Sequence, residues 1–229
     1  MNNTFKGYQD FTKTTLLASL NQNITGALAR ISLWSASEFG EVVAAVIKGE
    51  TDGHRDYDKK VDSKDVILEI GDCMWCISEL CRLHGIALED VAKKNIQKTY
   101  GRYLTQDFPD QDFGDNFSFA QYEALSQKTE RSITPINGET EEQARLNIAL
   151  LGIQKELGQY TAEITDYLIK QRTGDTAVLN TDILTERAGD TLWYCRLACS
   201  SVGYSLDDMI DLNREKLSRR YLSTPSVIE

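Results

Sequence analysis

Apolar residues recur at intervals of three and four along most of the chain, which is the period of a helix with one buried face. The longest such stretch runs from residue 24 to residue 48. Its apolar stripe consists of Leu28, Ile31, Trp34, Val42, Val43, Val46 and Ile47. The pattern therefore predicts a long amphipathic helix, followed by a polar loop that begins at Gly49 and ends at Asp62.

Capping signals divide the rest of the chain into further helices. Ser63 is placed to cap a helix over residues 64–84, and Gly85 fits the left-handed position that ends it. Another helix is predicted from about Leu88 to Tyr103, and a shorter one at residues 11–20. In the second half of the chain, Ser205-x-x-Asp208 resembles a capping box and predicts a helix that begins there.

The sequence repeats itself at an offset of 118 residues, and such a repeat decides the fold. The segment IGDCMWC in the first half corresponds to AGDTLWY in the second. The matched pairs are Asp72 and Asp190, Trp75 and Trp193, Gly85 and Gly203, Asn95 and Asn213, Lys98 and Lys216, and Arg102 and Arg220. A weaker repeat at an offset of 114 pairs Phe5 and Tyr8 with Phe119 and Tyr122.

The repeat divides the chain into two similar units, residues 1–104 and residues 119–229. Residues 105–118 between them are acidic and rich in turn-forming residues, which is typical of a linker. Each unit has about four predicted helices and no predicted strand. We therefore expect an all-α protein in which two helical bundles pack on each other.

Composition narrows the classes of partner. The formal net charge of −10 argues against a nucleic-acid partner, since such proteins usually carry an excess of Lys and Arg on one face. No apolar run approaches the roughly 18 residues that a membrane span needs, and the first residues lack the order of a signal peptide. We expect a soluble cytoplasmic protein that contacts no membrane, with its five cysteines as free thiols.

Two pairs of carboxylates stand out, Glu38-x-x-Glu41 and Glu69-x-x-Asp72. Residues three apart share one face of a helix, so two adjacent antiparallel helices could bring all four groups together. Four close carboxylates repel, and they would have to take up protons or bind cations. Oxygen ligands of this kind suit Mg²⁺. Either pair alone, however, is more often an ordinary surface feature.

Together with Trp75, Asn95-x-x-Lys98 and Arg102-Tyr103, the acidic pairs resemble the MazG-type all-α nucleoside triphosphate pyrophosphohydrolases, relatives of the dimeric dUTPases and dCTP pyrophosphatases. The resemblance implies cleavage of a nucleoside triphosphate between its α and β phosphates, giving monophosphate and pyrophosphate in the control of nucleotide pools. It implies that the cofactor is Mg²⁺, with Mn²⁺ as an alternative. The implied metal ligands are Glu38, Glu41, Glu69 and Asp72.

The same resemblance implies roles for other residues. Glu38 or Glu41 would accept the proton of the attacking water. Lys98 and Arg102 would bind phosphate, and Asn95 would contact sugar or phosphate. Trp34 and Trp75 are candidates to stack on the base, although core packing explains them at least as well.

The second copy departs from this pattern. At the same offset, Gln159 stands in place of Glu41 and Arg187 in place of Glu69. Such a set should not bind Mg²⁺, and we expect Arg187 to pair with Glu156 or Asp190. Because the family usually dimerises identical chains, the tandem chain resembles an intramolecular pseudo-dimer with one active and one degenerate unit. Two chains in one particle would make a homodimer with four units.

Three other interpretations compete with this one. Cys73-x-x-Cys76 could be redox-active or half of a zinc site, but the repeat has Thr191 and Tyr194 there, which favours buried thiols. A di-iron carboxylate protein needs Glu-x-x-His pairs, and neither His54 nor His84 follows a Glu by three. The fold could also serve as a catalytically weak nucleotide-binding or partner-binding module. Base and sugar preference stay open.

Overall fold

The computed structural model describes residues 3–53, 62–104, 116–136 and 138–221. Within these ranges the structure has helices and no strand, only an isolated antiparallel bridge between Thr4 and Ser118. The all-α prediction is confirmed. The helices are α1 (Phe5–Thr15), α2 (Ala18–Asn21), α3 (Ile24–Gly53), α4 (Ser63–Leu83), α5 (Leu88–Tyr103), α6 (Phe119–Gln127), α7 (Glu141–Thr173), α8 (Thr181–Ser201) and α9 (Leu206–Tyr221).

Several helix ends differ from the sequence-based bounds. Helix α3 continues to Gly53 rather than ending at residue 48, and the predicted helix over residues 11–20 is instead α1, which begins at Phe5, followed by the short α2. The N-cap of α4 is Asp62 and not Ser63, since the Asp62 carboxylate accepts a hydrogen bond from the Lys64 amide at 3.0 Å. The rest of the predicted polar loop, with His54, and most of the predicted linker lie outside the described residues.

Other local predictions agree with the structure. Helix α5 has the predicted bounds, and Gly85 adopts a φ of 71° just after α4. The predicted capping box at the start of α9 is formed, because the Ser205 amide donates to Asp208 Oδ2 at 2.9 Å and the Asp208 amide donates to Ser205 Oγ at 3.1 Å.

The helices of the two halves interleave around one core. Helix α3 packs against α4, and α7 packs against α8 in the same way. The last helix of each half then lies on the other half: α5 packs against α8, and α9 packs against α4. Helices α1 and α6 meet at their N-terminal ends, where the Phe5 and Phe119 rings are 4.1 Å apart. These crossed contacts determine which side chains share a cleft.

Two kinds of hydrogen bond occur twice, once for each copy of the repeat. The Tyr8 hydroxyl donates to Asn213 Oδ1 at 2.8 Å, and the Tyr122 hydroxyl donates to Asn95 Oδ1 at 2.8 Å. Likewise, the indole nitrogen of Trp75 donates to Thr15 at 2.7 Å, and that of Trp193 donates to Thr129 at 3.0 Å. In each of these two pairs, the donor and the acceptor of one hydrogen bond correspond by the repeat to the donor and the acceptor of the other.

Gly189 on α8 allows α5 to approach closely. A Cβ atom added to Gly189 would lie 2.8 Å from Asn95 Cβ and 3.3 Å from the Val91 carbonyl oxygen. We predict that Gly189→Ala destabilises the protein by about 1–3 kcal/mol, because the two helices must separate. Gly158 on α7 is the control, since a Cβ there meets nothing within 4 Å. Gly158→Ala should be neutral or stabilise by up to about 1 kcal/mol through helix propensity. Thermal unfolding followed by circular dichroism measures both; a loss no larger for Gly189→Ala than for Gly158→Ala would contradict the prediction.

Candidate functional site

Three carboxylates converge where α3 and α4 pack. Ligand oxygens of Glu38, Glu41 and Glu69 lie within 4.8 Å of one another. Among the described residues, this is the one group of three or more metal-ligating side chains that come together in this way. The spacing of three residues places each pair on the face that looks at the other helix, so the sequence pattern and the geometry agree here.

Asp72, the fourth expected ligand, lies beside this group and is held by the second half of the chain. Its Oδ1 accepts a hydrogen bond from Asn213 Nδ2 at 2.8 Å, and its Oδ2 accepts one from Lys216 Nζ at 2.5 Å. Lys216 also lies 3.4 Å from Glu69 Oε2. Both cross-contacts follow from the packing of α9 on α4.

Burial and neighbouring charges both act on the carboxyls in and beside the acidic group. Burial raises the pKa of the Glu38 carboxyl to about 7, and the neighbouring carboxylates contribute to the same increase. Burial also raises the pKa of Glu69 and of Asp72, while Lys216 opposes the increase in both. A cation added to the group would stabilise the ionised forms of all these carboxyls.

A cleft of about 340 Å³ opens beside the carboxylates, and we call it the first cleft. Trp34, Glu38, Asp72, Trp75, Cys76, Leu217, Arg220 and Tyr221 line it. The two tryptophan rings are 6.1 Å apart, and the Trp75 ring is fixed by its hydrogen bond to Thr15. Acidic groups, paired aromatic rings and a cationic side chain therefore share one cavity.

The structure places the predicted phosphate-binding residues of the first half elsewhere. Asn95 Nδ2 donates to Asp190 Oδ1 at 3.0 Å, and Lys98 Nζ lies 2.5 Å from Asp190 Oδ2. Arg102 lines the same region. The reason is the packing of α5 on α8, which carries these side chains away from the acidic group.

The residues that take their place are Asn213, Lys216 and Arg220, the equivalents of the second half. The sequence leaves open whether these three residues contact a substrate at the interface of the two halves, because Asn, Lys and Arg are identical in both copies and the pattern alone does not say which copy faces which acids. The sequence does contain one sign of the crossing, because each half has a glycine directly before its aspartate, Gly71 before Asp72 and Gly189 before Asp190. A Cβ on Gly71 would lie 2.9 Å from Asn213 Cβ, so this glycine marks the close crossing of α4 and α9.

A second cleft of about 470 Å³ lies at the equivalent place between α5, α7 and α8. The residue in place of Glu69, Arg187, lies 3.1 Å from Glu156 Oε2, and Lys155 lies 2.6 Å from Glu156 Oε1. Gln159 is exposed on α7. The expected pair of Arg187 and Glu156 is thus present, and Glu156 is occupied by cationic side chains.

The surroundings of the cysteine thiols and of His84 indicate packing roles rather than chemical ones. All five cysteines are buried and free, and burial raises the pKa of Cys73 and of Cys76 well above the ordinary thiol value. A reactive or metal-bound thiol needs a lowered pKa. His84 Nδ1 lies 2.7 Å from the Leu80 carbonyl oxygen and 3.2 Å from the Tyr160 hydroxyl, away from the acidic group.

Part of the chain matches a known protein family. Residues 28–105 match the family model described as MazG nucleotide pyrophosphohydrolase domain, a range that contains the whole acidic group and helices α4 and α5. Neither the curated proteins nor the solved structures gave a match. In the described part of the chain, every helix is too short or too polar to cross a bilayer.

Proposed function

The first half of the chain is MazG-like over residues 28–105, and from this premise we propose that the first cleft hydrolyses a nucleoside triphosphate. The reaction adds water across the bond between the α and β phosphates and yields a monophosphate, pyrophosphate and a proton. The observation that carries the proposal is the convergence of Glu38, Glu41 and Glu69 beside a cleft with paired tryptophan rings.

The acidic group fits a divalent metal such as Mg²⁺. Its donors are carboxylate oxygens, and a cation would offset the burial and the repulsion between carboxylates that raise the pKa of Glu38. Glu38, Glu41 and Glu69 would hold the metal, with Asp72 at the edge of the group. When bound, Mg²⁺ or Mn²⁺ supplies charge that polarises phosphoryl oxygens and lowers the pKa of water.

The side chains of the protein have distinct tasks in this proposal. Glu38 lines the cleft, and a bound cation would keep its carboxylate ionised, so Glu38 is placed to accept the proton of the attacking water as the general base. Lys216 and Arg220 from α9 compensate the charge of the phosphates. Trp34 and Trp75 line the cleft, and their rings would stack on the base.

We further propose that the chain contains two MazG-like units, residues 1–104 and residues 119–229, that form an intramolecular pseudo-dimer. The paired hydrogen bonds of Tyr8 and Tyr122, and of Trp75 and Trp193, support this arrangement. Each unit supplies the Asn and Lys that contact the acids of the other. The first unit is the catalytic one, and each chain has one hydrolytic site.

The proposed cellular role is the control of nucleotide pools in the cytoplasm. Two of these two-unit chains could also associate as a homodimer.

A substrate panel tests the function. The full chain is incubated with ribo-, deoxyribo- and modified nucleoside triphosphates, and with guanosine tetraphosphate, in Mg²⁺ or in EDTA. We expect release of pyrophosphate from at least one nucleoside triphosphate in Mg²⁺ and none in EDTA, measured by a coupled pyrophosphate assay. Saturable binding without turnover across the panel would instead favour a nucleotide-binding module.

A further inference from the structure

The second cleft has lost the acidic set but has kept the dimensions of a ligand site. It encloses about 470 Å³, against about 340 Å³ for the first cleft. Five of its lining side chains are cationic and four are anionic, so the balance of charge is positive. The cations are Lys98, Arg102, Arg131, Lys155 and Arg187. The first cleft has the opposite balance, since two carboxylates, Glu38 and Asp72, and one cation, Arg220, line it.

The anionic side chains of the second cleft are already compensated. Glu130 pairs with Arg145 and Arg196, and Glu156 pairs with Lys155 and Arg187. Lys98 contacts both Glu186 and Asp190. The excess positive charge of this cleft is consequently available to an anionic ligand.

Arg102 and Arg131 have more donors to spare than the other cations of this cleft. Both are exposed, and within the described ranges neither forms an ion pair with a carboxylate. The Arg131 guanidinium lies 4.8 Å from the centre of the Tyr103 ring, which holds it at the edge of the cleft. Guanidinium groups bind phosphate through two parallel hydrogen bonds and need no metal.

Arg187 occupies the position that Glu69, a proposed metal ligand, has in the first half. Where Glu69 faces a group of carboxylates, Arg187 brings a fixed positive charge to the equivalent place. With Arg187 in place of Glu69, the second cleft lacks a carboxylate that could bind a divalent cation, and the guanidinium group supplies part of the positive charge of such a cation. Phosphate could be held there, but water would not be activated.

A pair of aromatic rings persists in the second cleft although its residues have changed. At the offset of 118, Gly152 stands in place of Trp34 and Tyr194 in place of Cys76. A Cβ on Gly152 would lie 2.3 Å from the Tyr194 ring, so the tyrosine fills the space that the lost tryptophan leaves. Its ring is 5.2 Å from that of Trp193, as Trp34 is 6.1 Å from Trp75.

We propose that the second cleft binds a nucleoside phosphate without a divalent cation and without hydrolysing it. Arg102, Arg131 and Arg187 contact the phosphates, and the base lies against Trp193 and Tyr194. Paired aromatic rings and clustered guanidinium groups together match a ligand that has both a flat base and a phosphate chain. The proposal goes beyond the proposed hydrolysis and does not depend on it.

Binding in EDTA tests the proposal, because the acidic first cleft repels phosphates when no metal is present. Isothermal titration of the full chain with ribo- and deoxyribonucleoside triphosphates should give saturable binding of one molecule per chain for at least one of them. The parallel titrations with inorganic pyrophosphate and with the free nucleoside should show at least about tenfold weaker binding. Equal affinity for pyrophosphate would overturn the role of the rings, and absence of binding by every triphosphate would overturn the site.

Arg102 and Arg220 form a matched pair of variants, since they correspond in the two halves and both are exposed. Arg102→Glu should weaken binding in EDTA at least about tenfold, whereas Arg220→Glu, in the first cleft, should change it less than about twofold. Circular dichroism establishes that both variants fold. A larger loss in Arg220→Glu than in Arg102→Glu would assign the binding to the first cleft and overturn the proposal.

Tryptophan fluorescence gives a readout that does not depend on the charge variants. Ligand binding in EDTA should change the emission of the wild-type chain, and Trp193→Phe should abolish that change. Trp75→Phe, its equivalent in the first cleft, should retain it. A signal that persists in Trp193→Phe and disappears in Trp75→Phe would contradict the assigned position of the base.

Discussion

Replacing Glu41 with alanine is expected to reduce Mg²⁺-dependent pyrophosphate release at least about 100-fold. Loss of a residue that merely orients a metal ligand typically costs about 10- to 100-fold in affinity or activity, and loss of a ligand itself should cost no less. Glu41 is exposed at the edge of the acidic group, so its removal should leave the fold intact. Initial rates at saturating nucleotide, measured over a range of Mg²⁺ concentrations, give the loss.

The second half supplies the controls for this experiment. Gln159→Ala changes the position equivalent to Glu41 and is exposed on α7, and it should have almost no effect. Asp72→Ala should abolish activity, while Asp190→Ala should spare most of it even though Asp190 makes the same contacts to an Asn and a Lys. Equal losses at Asp72 and Asp190 would mean that both clefts hydrolyse substrate, against the proposed asymmetry.

The helices and the acidic group follow from the sequence because they depend on local spacing. Periodic apolar residues give the helices, Gly85 gives the end of α4, and the three-residue spacing puts Glu38 and Glu41 on one face. Helix ends are less determined, since Asp62 and Ser63 are adjacent and both favour the N-cap position. Such differences of one residue do not move the site.

The composition of each cleft does not follow from local spacing. Asn95 and Asn213 are asparagines at equivalent positions of the two copies. Only the crossing of α5 on α8 and of α9 on α4 decides which acidic side chains each of them contacts. The same holds for Gly152 and Tyr194, which stand in place of Trp34 and Cys76. The sequence shows only that a tryptophan is lost, but in the structure the Tyr194 ring lies over Gly152 and takes the place of that tryptophan. The residues that line each cleft are therefore determined by tertiary packing and not by the local sequence.

The crossing of the helices leads to a strong expectation for the two corresponding lysines. Lys216 lies 2.5 Å from Asp72 and 3.4 Å from Glu69, while Lys98 contacts Asp190 and Glu186 in the other cleft. Hydrogen bonds to charged groups contribute about 1.5–3 kcal/mol, so Lys216→Gln should lower kcat/KM roughly 10- to 100-fold. Lys98→Gln should change kcat/KM less than about threefold. Steady-state kinetics with the best triphosphate of the panel measures both constants.

This pair of variants also separates catalysis from folding. The two lysines make equivalent contacts with an aspartate at 2.5 Å, so a merely structural role would lower thermal stability by similar amounts in both variants. Only a role in the first cleft makes Lys216 the more damaging position for kcat/KM. A larger kinetic effect at Lys98 than at Lys216 would mean that each unit uses its own lysine in solution, and that the helices do not cross as the structure has them.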